Sequence, residues 1–215
     1  VTIRAVAFDI GGVLERVAPQ DRWLGKWQER LGMGAAEFQA AIASVDPDGV
    51  IRTGGLSEAQ YRRRYASALG LSNLQIDEFM ADMWDWYCGE LDLELIGYVA
   101  NLRPRYATAI LSNSADGARR EEQARYSFTD LFDAIIYSHE VGLAKPDRRI
   151  YALLCGELSV EPNELIFVDD VRENVDAAVQ FGIHAVLHRG TRESIDAVNS
   201  LLTVGLPTGQ QRSLS

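Results

Sequence analysis

Five short apolar runs, rich in β-branched and aromatic residues, recur along the chain at Ile3 to Phe8, Ala107 to Leu111, Ala134 to Tyr137, Leu165 to Val168 and Ala185 to Leu187. Segments with helical patterning separate the later runs or follow the last: Gly117 to Tyr126, Arg148 to Leu158, Glu173 to Phe181 and Ser194 to Leu202. Strands joined by helices must run parallel, because a helical crossover returns the chain to the edge from which it started. Right-handed crossovers can then wind the helices onto both faces of one sheet. The alternation therefore predicts an α/β chain built on a doubly wound parallel sheet.

One interval breaks the rhythm. Between about Pro19 and Glu90 there is no convincing strand, but there are helix-like stretches at Asp21 to Leu31, Ala35 to Ser44, Ser57 to Leu69 and Gln75 to Tyr87. The run Ser57-Glu58-Ala59-Gln60 has the form of a capping box, in which the Gln60 amide returns to the backbone of the Ser57 cap. The interval reads as an inserted α-helical module. The division expected is residues 1–16 and 91–207 as the core, 17–90 as the insertion, and 208–215 as a polar tail that frays. Trp84 and Trp86 are expected to pack rather than to bind.

At 47% hydrophobic and 24% charged, 215 residues suffice for one sizeable core with a smaller appended module. A net charge of -10 opposes binding to nucleic acid or to an anionic membrane, since both need cationic neutralisation. No apolar stretch reaches the roughly 18 residues of a spanning helix, and the opening Val1-Thr2-Ile3-Arg4 has no signal-peptide profile, so a cytoplasmic protein is expected, as monomer or homodimer. Cys88 and Cys155 are too few and too far apart to suggest a disulfide framework.

Four motifs fall at or just after strand ends. In Val6-Ala7-Phe8-Asp9-Ile10-Gly11-Gly12-Val13-Leu14 an apolar strand meets a carboxylate and then two glycines; it serves equally as a turn or as an anion-binding nest behind Asp9. Ser112 and Asn113 end the second strand, where a hydroxyl can meet a phosphoryl oxygen or simply cap a turn. Lys145 precedes Pro146 in a stiffened loop, as a surface lysine or as a fixed cation beside an anion. The adjacent carboxylates Asp169 and Asp170 end another strand; Asp170 can cap the next helix, but side-by-side acids are costly without a cation or strong donors, and a hard divalent ion is the simplest remedy. In an open parallel sheet ligands sit beyond the carboxyl ends of the strands, so the four together point to one site.

With these motifs in this order from Val6 to about Ala185, the sequence resembles the haloacid dehalogenase superfamily, in the branch of capped phosphatases that includes sugar-1-phosphatase-like proteins. The resemblance implies a Rossmann-like core with a helical (C1-type) cap inserted after the first strand. It also implies a Mg²⁺ held by the Asp9 carboxylate, the Gly11 carbonyl and Asp170, with Asp169 supporting. On that resemblance Asp9 is the nucleophile toward a small phosphate monoester, Lys145 and Ser112 assist catalysis, and Gly11, Gly12, Ser112, Asn113 and Lys145 bind substrate.

One departure follows from the same comparison. Family phosphatases usually carry a second acid two positions after the nucleophile, where this chain has Gly11. General acid–base assistance contributes roughly 10²–10⁴ in rate, so its loss without replacement leaves a slow enzyme. Glu15 is a substitute by sequence proximity alone. Two alternatives stay open: carboxylate attack on carbon in a 2-haloacid, and a phosphate-binding regulatory module with impaired turnover. Arg52, in Val50-Ile51-Arg52-Thr53-Gly54-Gly55, is a candidate substrate contact or an exposed loop arginine. The three histidines share no ligand spacing with the acids and are expected in the core or on the surface.

Overall fold

The structure, a computed structural model, describes residues 2–204; the segment 208–215, expected to fray, lies outside the described residues. Strand β1 (Ala5–Phe8) is the centre of a five-stranded sheet completed by β4 (Ala107–Ser112), β5 (Ala134–Tyr137), β6 (Leu165–Asp169) and β7 (His184–Leu187). The order is β5-β4-β1-β6-β7 and every pairing is parallel. All residues of β1 and β6 are buried, as a parallel sheet covered on both faces requires.

The two-residue period of a strand sorts these apolar runs between the faces. Val6, Phe8, Ile110, Ile166 and Val168 enter one cluster, joined by helices α5 (Leu93–Leu102), α6 (Ala118–Tyr126) and α10 (Thr191–Val204). Ala5, Ala7, Ala109, Leu111, Leu165 and Phe167 enter the other, joined by α8 (Arg148–Leu158) and α9 (Arg172–Phe181). The sheet is doubly wound, as the alternation predicts. From β1 the chain builds outward to β4 and β5, then returns to β1's other side for β6 and β7. The order reverses at β1, so the loops after β1, β4 and β6 meet at the carboxyl edge.

The helical interval holds α1 (Asp21–Leu31), α2 (Ala35–Ala43), α3 (Glu58–Leu69) and α4 (Asn73–Cys88), each within two residues of its expected bounds. The Ser57 N–H donates to Gln60 Oε1 at 2.8 Å, the return bond expected of the capping box. Trp23 and Trp27 stack edge-on against Phe79 at 5.0 and 5.3 Å between ring centres, which ties α1 to α4. These side chains belong to the same cluster as Val6 and Phe8, so the helices close over one face of the sheet. A polar link crosses the contact, where Asp116 accepts the Glu58 N–H at 2.7 Å, and within the helical interval Trp84 Nε1 donates to Glu58 at 2.9 Å.

Besides three short 3₁₀ turns, the described residues hold two strands and two helices that the sequence does not predict. Strands β2 (Glu15–Arg16) and β3 (Glu90–Leu91) pair antiparallel where the chain leaves for α1 and returns from α4. Helix α5 begins under Asp92, which accepts the Leu95 N–H at 3.0 Å, and α7 (Ser138–Val141) is a single turn. Two-residue strands and one-turn helices carry no usable period. Cys88 and Cys155 are free and buried, and among the described residues no helix is long and apolar enough to cross a membrane.

Candidate active site

The strand ends β4, β1 and β6 are neighbours, so Ser112, Asp9 and the Asp169-Asp170 pair emerge side by side. One carboxylate oxygen from each of Asp9, Asp169 and Asp170 lies within 4.8 Å of the others. The Lys145 side chain is fully buried among them, with Nζ 2.7 Å from Asp9 Oδ1 and donating at 2.8 Å to Asp169 Oδ2 and at 2.8 Å to the Leu111 carbonyl. Asn113 fixes the loop that carries the lysine. Its Nδ2 donates to the Lys145 carbonyl at 2.9 Å, and its Oδ1 accepts the Lys145 N–H at 2.8 Å. Both ends of the side chain expected to meet substrate thus hold the lysine in place.

The three acids have different surroundings. Asp169 is completely buried, and both oxygens are occupied: Oδ1 accepts from Val171 N–H at 2.8 Å and from Asn174 Nδ2 at 3.1 Å, while Oδ2 accepts from Lys145 and again from Asn174. Asp9 receives the Ile10 N–H at 2.8 Å on the same Oδ1 that faces Lys145, which leaves Oδ2 for the cavity. Burial raises the Asp9 carboxyl to about 7 even though the lysine opposes it and Asp169 adds to it. Asp170 is exposed to the cavity and is also raised, by partial burial and by Asp169.

The turn after β1 explains its glycines. Gly12 adopts φ 77°, where a side chain is strained, and a Cβ there would lie 2.2 Å from Asp170 Oδ2. Its N–H donates to the Glu15 carbonyl at 2.9 Å. Gly12, expected to offer that amide to a phosphate, has already spent it on the turn; of the three amides after Asp9, the Gly11 N–H is left.

A cavity of about 240 Å³ opens over this edge. Asp9, Gly11, Ser112, Asn113 and Asp170 line its floor, and Glu15, Val17, Trp86 and Tyr87 line the opposite wall. Of the wall residues, Glu15 is the one that proximity to Asp9 singles out in the sequence; Val17, Trp86 and Tyr87 are those the sequence conceals. Trp86 and Tyr87 come from the end of α4, and their helical spacing signals only packing. Trp86 spends its indole N–H on the Ala18 carbonyl at 2.7 Å, so it presents an apolar ring. Burial, reinforced by the Glu122 charge, pushes Glu15 up to about 10. Among the described residues no Lys or Arg lines this cavity.

Arg52 is not brought to the site. It is exposed on a 3₁₀ turn, Ile51–Thr53, which packs against α7 through the close approach of Gly54 to the His139 carbonyl. His139 and His188 pair with Ser114 and Ser194 at 2.7 and 2.9 Å. Neither lines the cavity.

The haloacid dehalogenase-like hydrolase profile matches residues 3–182. Among characterised proteins the chain is 27% identical to bifunctional epoxide hydrolase 2 of Sus scrofa over 96% of its own length, but it spans only 41% of that protein. It is 24% identical to D-ribitol-5-phosphate phosphatase of Bacteroides thetaiotaomicron, over 84% of this chain and 89% of the phosphatase. Among solved structures, a HAD family enzyme of Bacteroides thetaiotaomicron in complex with magnesium and inorganic phosphate superposes with a TM-score of 0.70 at 22% identity, covering 87% of this chain and 94% of that one. That likeness is one of fold.

Proposed function

We propose, from the premise that the chain belongs to the haloacid dehalogenase-like hydrolase family, that it hydrolyses small phosphate monoesters, sugar phosphates among them, through a phosphoryl ester on Asp9. The observation that carries this reading is the buried Lys145, which grips Asp9 Oδ1 and leaves Oδ2 facing a cavity rimmed by a second carboxylate, Asp170. The similarity to a D-ribitol-5-phosphate phosphatase along most of both chains supports it.

The donor set fits a hard divalent cation. Three carboxylates against one ammonium leave a surplus of negative charge at a cavity with no basic lining, and every donor facing it is oxygen. Asp9, Asp170 and the Gly11 carbonyl would hold Mg²⁺, while Asp169, its oxygens already taken, supports from behind. When bound, the ion would neutralise the repulsion between carboxylate and phosphate.

This chain's residues then divide the work. Asp9 Oδ2 attacks phosphorus; the new P–O bond forms as the bond to the leaving oxygen breaks, and that oxygen takes its proton from solvent, since Gly11 supplies no side-chain acid. Water next cleaves the acyl phosphate, which returns Asp9 and releases inorganic phosphate. Lys145 keeps Asp9 oriented and its charge balanced, and the Ser112 hydroxyl and Gly11 N–H position phosphoryl oxygens. Residues 17–90 act as the cap, which brings Val17, Trp86 and Tyr87 to the cavity's far wall beside Glu15.

Gly11 favours a second reading, a binding module that forms the phosphoenzyme and stalls. Phosphate release from sugar phosphates and an aryl phosphate, with and without Mg²⁺, separates the two. Metal-dependent turnover lost in Asp9→Asn supports hydrolysis. A single-turnover burst supports the module, and neither outcome directs attention to chloride release from 2-haloacids.

A further inference from the structure

Among the described residues Glu15 is a buried carboxyl that borders the cavity with one oxygen unpartnered, although Tyr126 lies close enough to lower its pKa. It sits on β2, 1% exposed, with Oε2 shielded from solvent and without a hydrogen-bond partner. A buried carboxyl left unpaired is costly, and an apolar side chain of the same size would avoid the cost. Yet Glu15 lines the cavity, opposite the floor formed by Asp9, Ser112 and Asp170. Tyr87 joins it on that wall, half-buried, and its hydroxyl makes no side-chain hydrogen bond within the described residues. The remaining wall residues, Val17 and the ring of Trp86, offer no hydrogen bond.

We infer that Glu15, with the Tyr87 hydroxyl beside it, is the specificity determinant of this cavity and reads a hydroxyl group on the alcohol portion of the substrate, so that the preferred esters are phosphates of polyhydroxy alcohols. The inference rests on the phosphate-monoester reading of the same site. An incoming hydroxyl supplies a hydrogen bond to the Glu15 carboxyl where it borders the cavity, which offsets part of the cost of its burial. Sites built to bond a hydroxyl reject the analogue without it far more strongly than apolar pockets reject a methylene, because the protein's own polar group is then left unpaired. Glu122 provides the control. It too is buried with an unpartnered oxygen, Oε1, but it bonds the Tyr137 hydroxyl through its other oxygen and does not line the cavity.

The test compares glycerol 3-phosphate with n-propyl phosphate, which matches its carbon chain without the hydroxyls, in the parent chain and in Glu15→Leu, Glu15→Gln and Glu122→Gln. The ratio of kcat/KM for the two esters is expected to favour glycerol 3-phosphate by at least tenfold in the parent. It should contract at least tenfold in Glu15→Leu, contract less in Glu15→Gln, which keeps an acceptor oxygen, and hold in Glu122→Gln. A ratio unchanged in Glu15→Leu overturns the inference, as does equal contraction in Glu122→Gln. Calorimetric Kd values for the same two esters give the ratio without turnover. Glu15-dependent discrimination in Kd with no hydrolysis by the parent defeats the phosphatase reading alone, whereas hydrolysis with no Glu15-dependent discrimination defeats this inference alone.

Discussion

Replacing Lys145 by methionine keeps the length and apolar stem of the side chain and removes the charge that lies 2.7 Å from Asp9 and 2.8 Å from Asp169. The two carboxylates then face each other with oxygens within 4.8 Å, a repulsion of about 3.5 kcal/mol at an effective dielectric of about 20. Asp169 retains Asn174 and the Val171 N–H, and Asp9 retains the Ile10 N–H, so neither acid loses every donor. The expected loss at pH 8 is about 3–4 kcal/mol, in line with breaking one partner of a buried ion pair. For a chain of this size that lowers Tm by roughly 6–16 °C. Protonation relieves the repulsion. Asp9 is already raised to about 7 with the lysine present, and losing the lysine raises it further, so the deficit grows as pH rises through that value and is smaller at pH 5 by up to about 1.4 kcal/mol, the free energy of ionising Asp9 one pH unit above its raised value. Thermal melts followed by circular dichroism at the two pH values, in chelator, measure both numbers. A deficit under about 1 kcal/mol at pH 8, or one that is the same at pH 5, would refute the reasoning.

Gly12→Ala forces a side chain into φ 77° and onto Asp170 Oδ2, so activity should fall at least tenfold with a higher Mg²⁺ requirement; titration of activity against the metal checks this, and parent-like behaviour removes Asp170 from the site. Glu122 has its folded carboxyl raised to about 8 by burial, above the ordinary 4.5. It therefore favours the fold in acid and loses that contribution as pH rises through 8, so Glu122→Gln should flatten the decline of stability between pH 5 and 8 by up to about 1.4 kcal/mol per pH unit. Denaturant melts across that range test the slope. Arg52→Ala should leave KM within twofold of the parent in steady-state assays, because Arg52 is exposed and absent from the cavity lining; a large rise would show that the turn moves over the substrate.

Much of the fold was legible because its signals are local. The runs at Ala134 to Tyr137 and Arg148 to Leu158 coincide with β5 and α8, and Asp21 to Leu31 with α1. Helix α5 also carries a readable signal, Asp92 ahead of Leu95, Val99 and Leu102 at helical spacing, but it follows α4 so closely that the alternation of strands and helices does not require it. The β2–β3 ribbon had no such signal, since its two halves are too short for a period and its partners are 75 residues apart, from Arg16 to Glu90 or Glu15 to Leu91 within one.

The order of the motifs along the chain determined which residues stand at the sheet's carboxyl edge, because a strand's last residue follows from where its apolar run stops. Only the tertiary structure decided what each one does there. Asp169 and Asp170 are adjacent in sequence and equal in chemistry, yet one is sealed behind Lys145 and Asn174 and the other faces the cavity. Asn113, which lines the cavity, also clasps the lysine loop with both ends of its amide, and Gly12 gives its N–H to the turn and leaves the space that Asp170 needs. Trp86 and Tyr87 join Glu15 of β2 on one wall because α1–α4 fold back over the sheet, a long-range packing event that no local periodicity encodes.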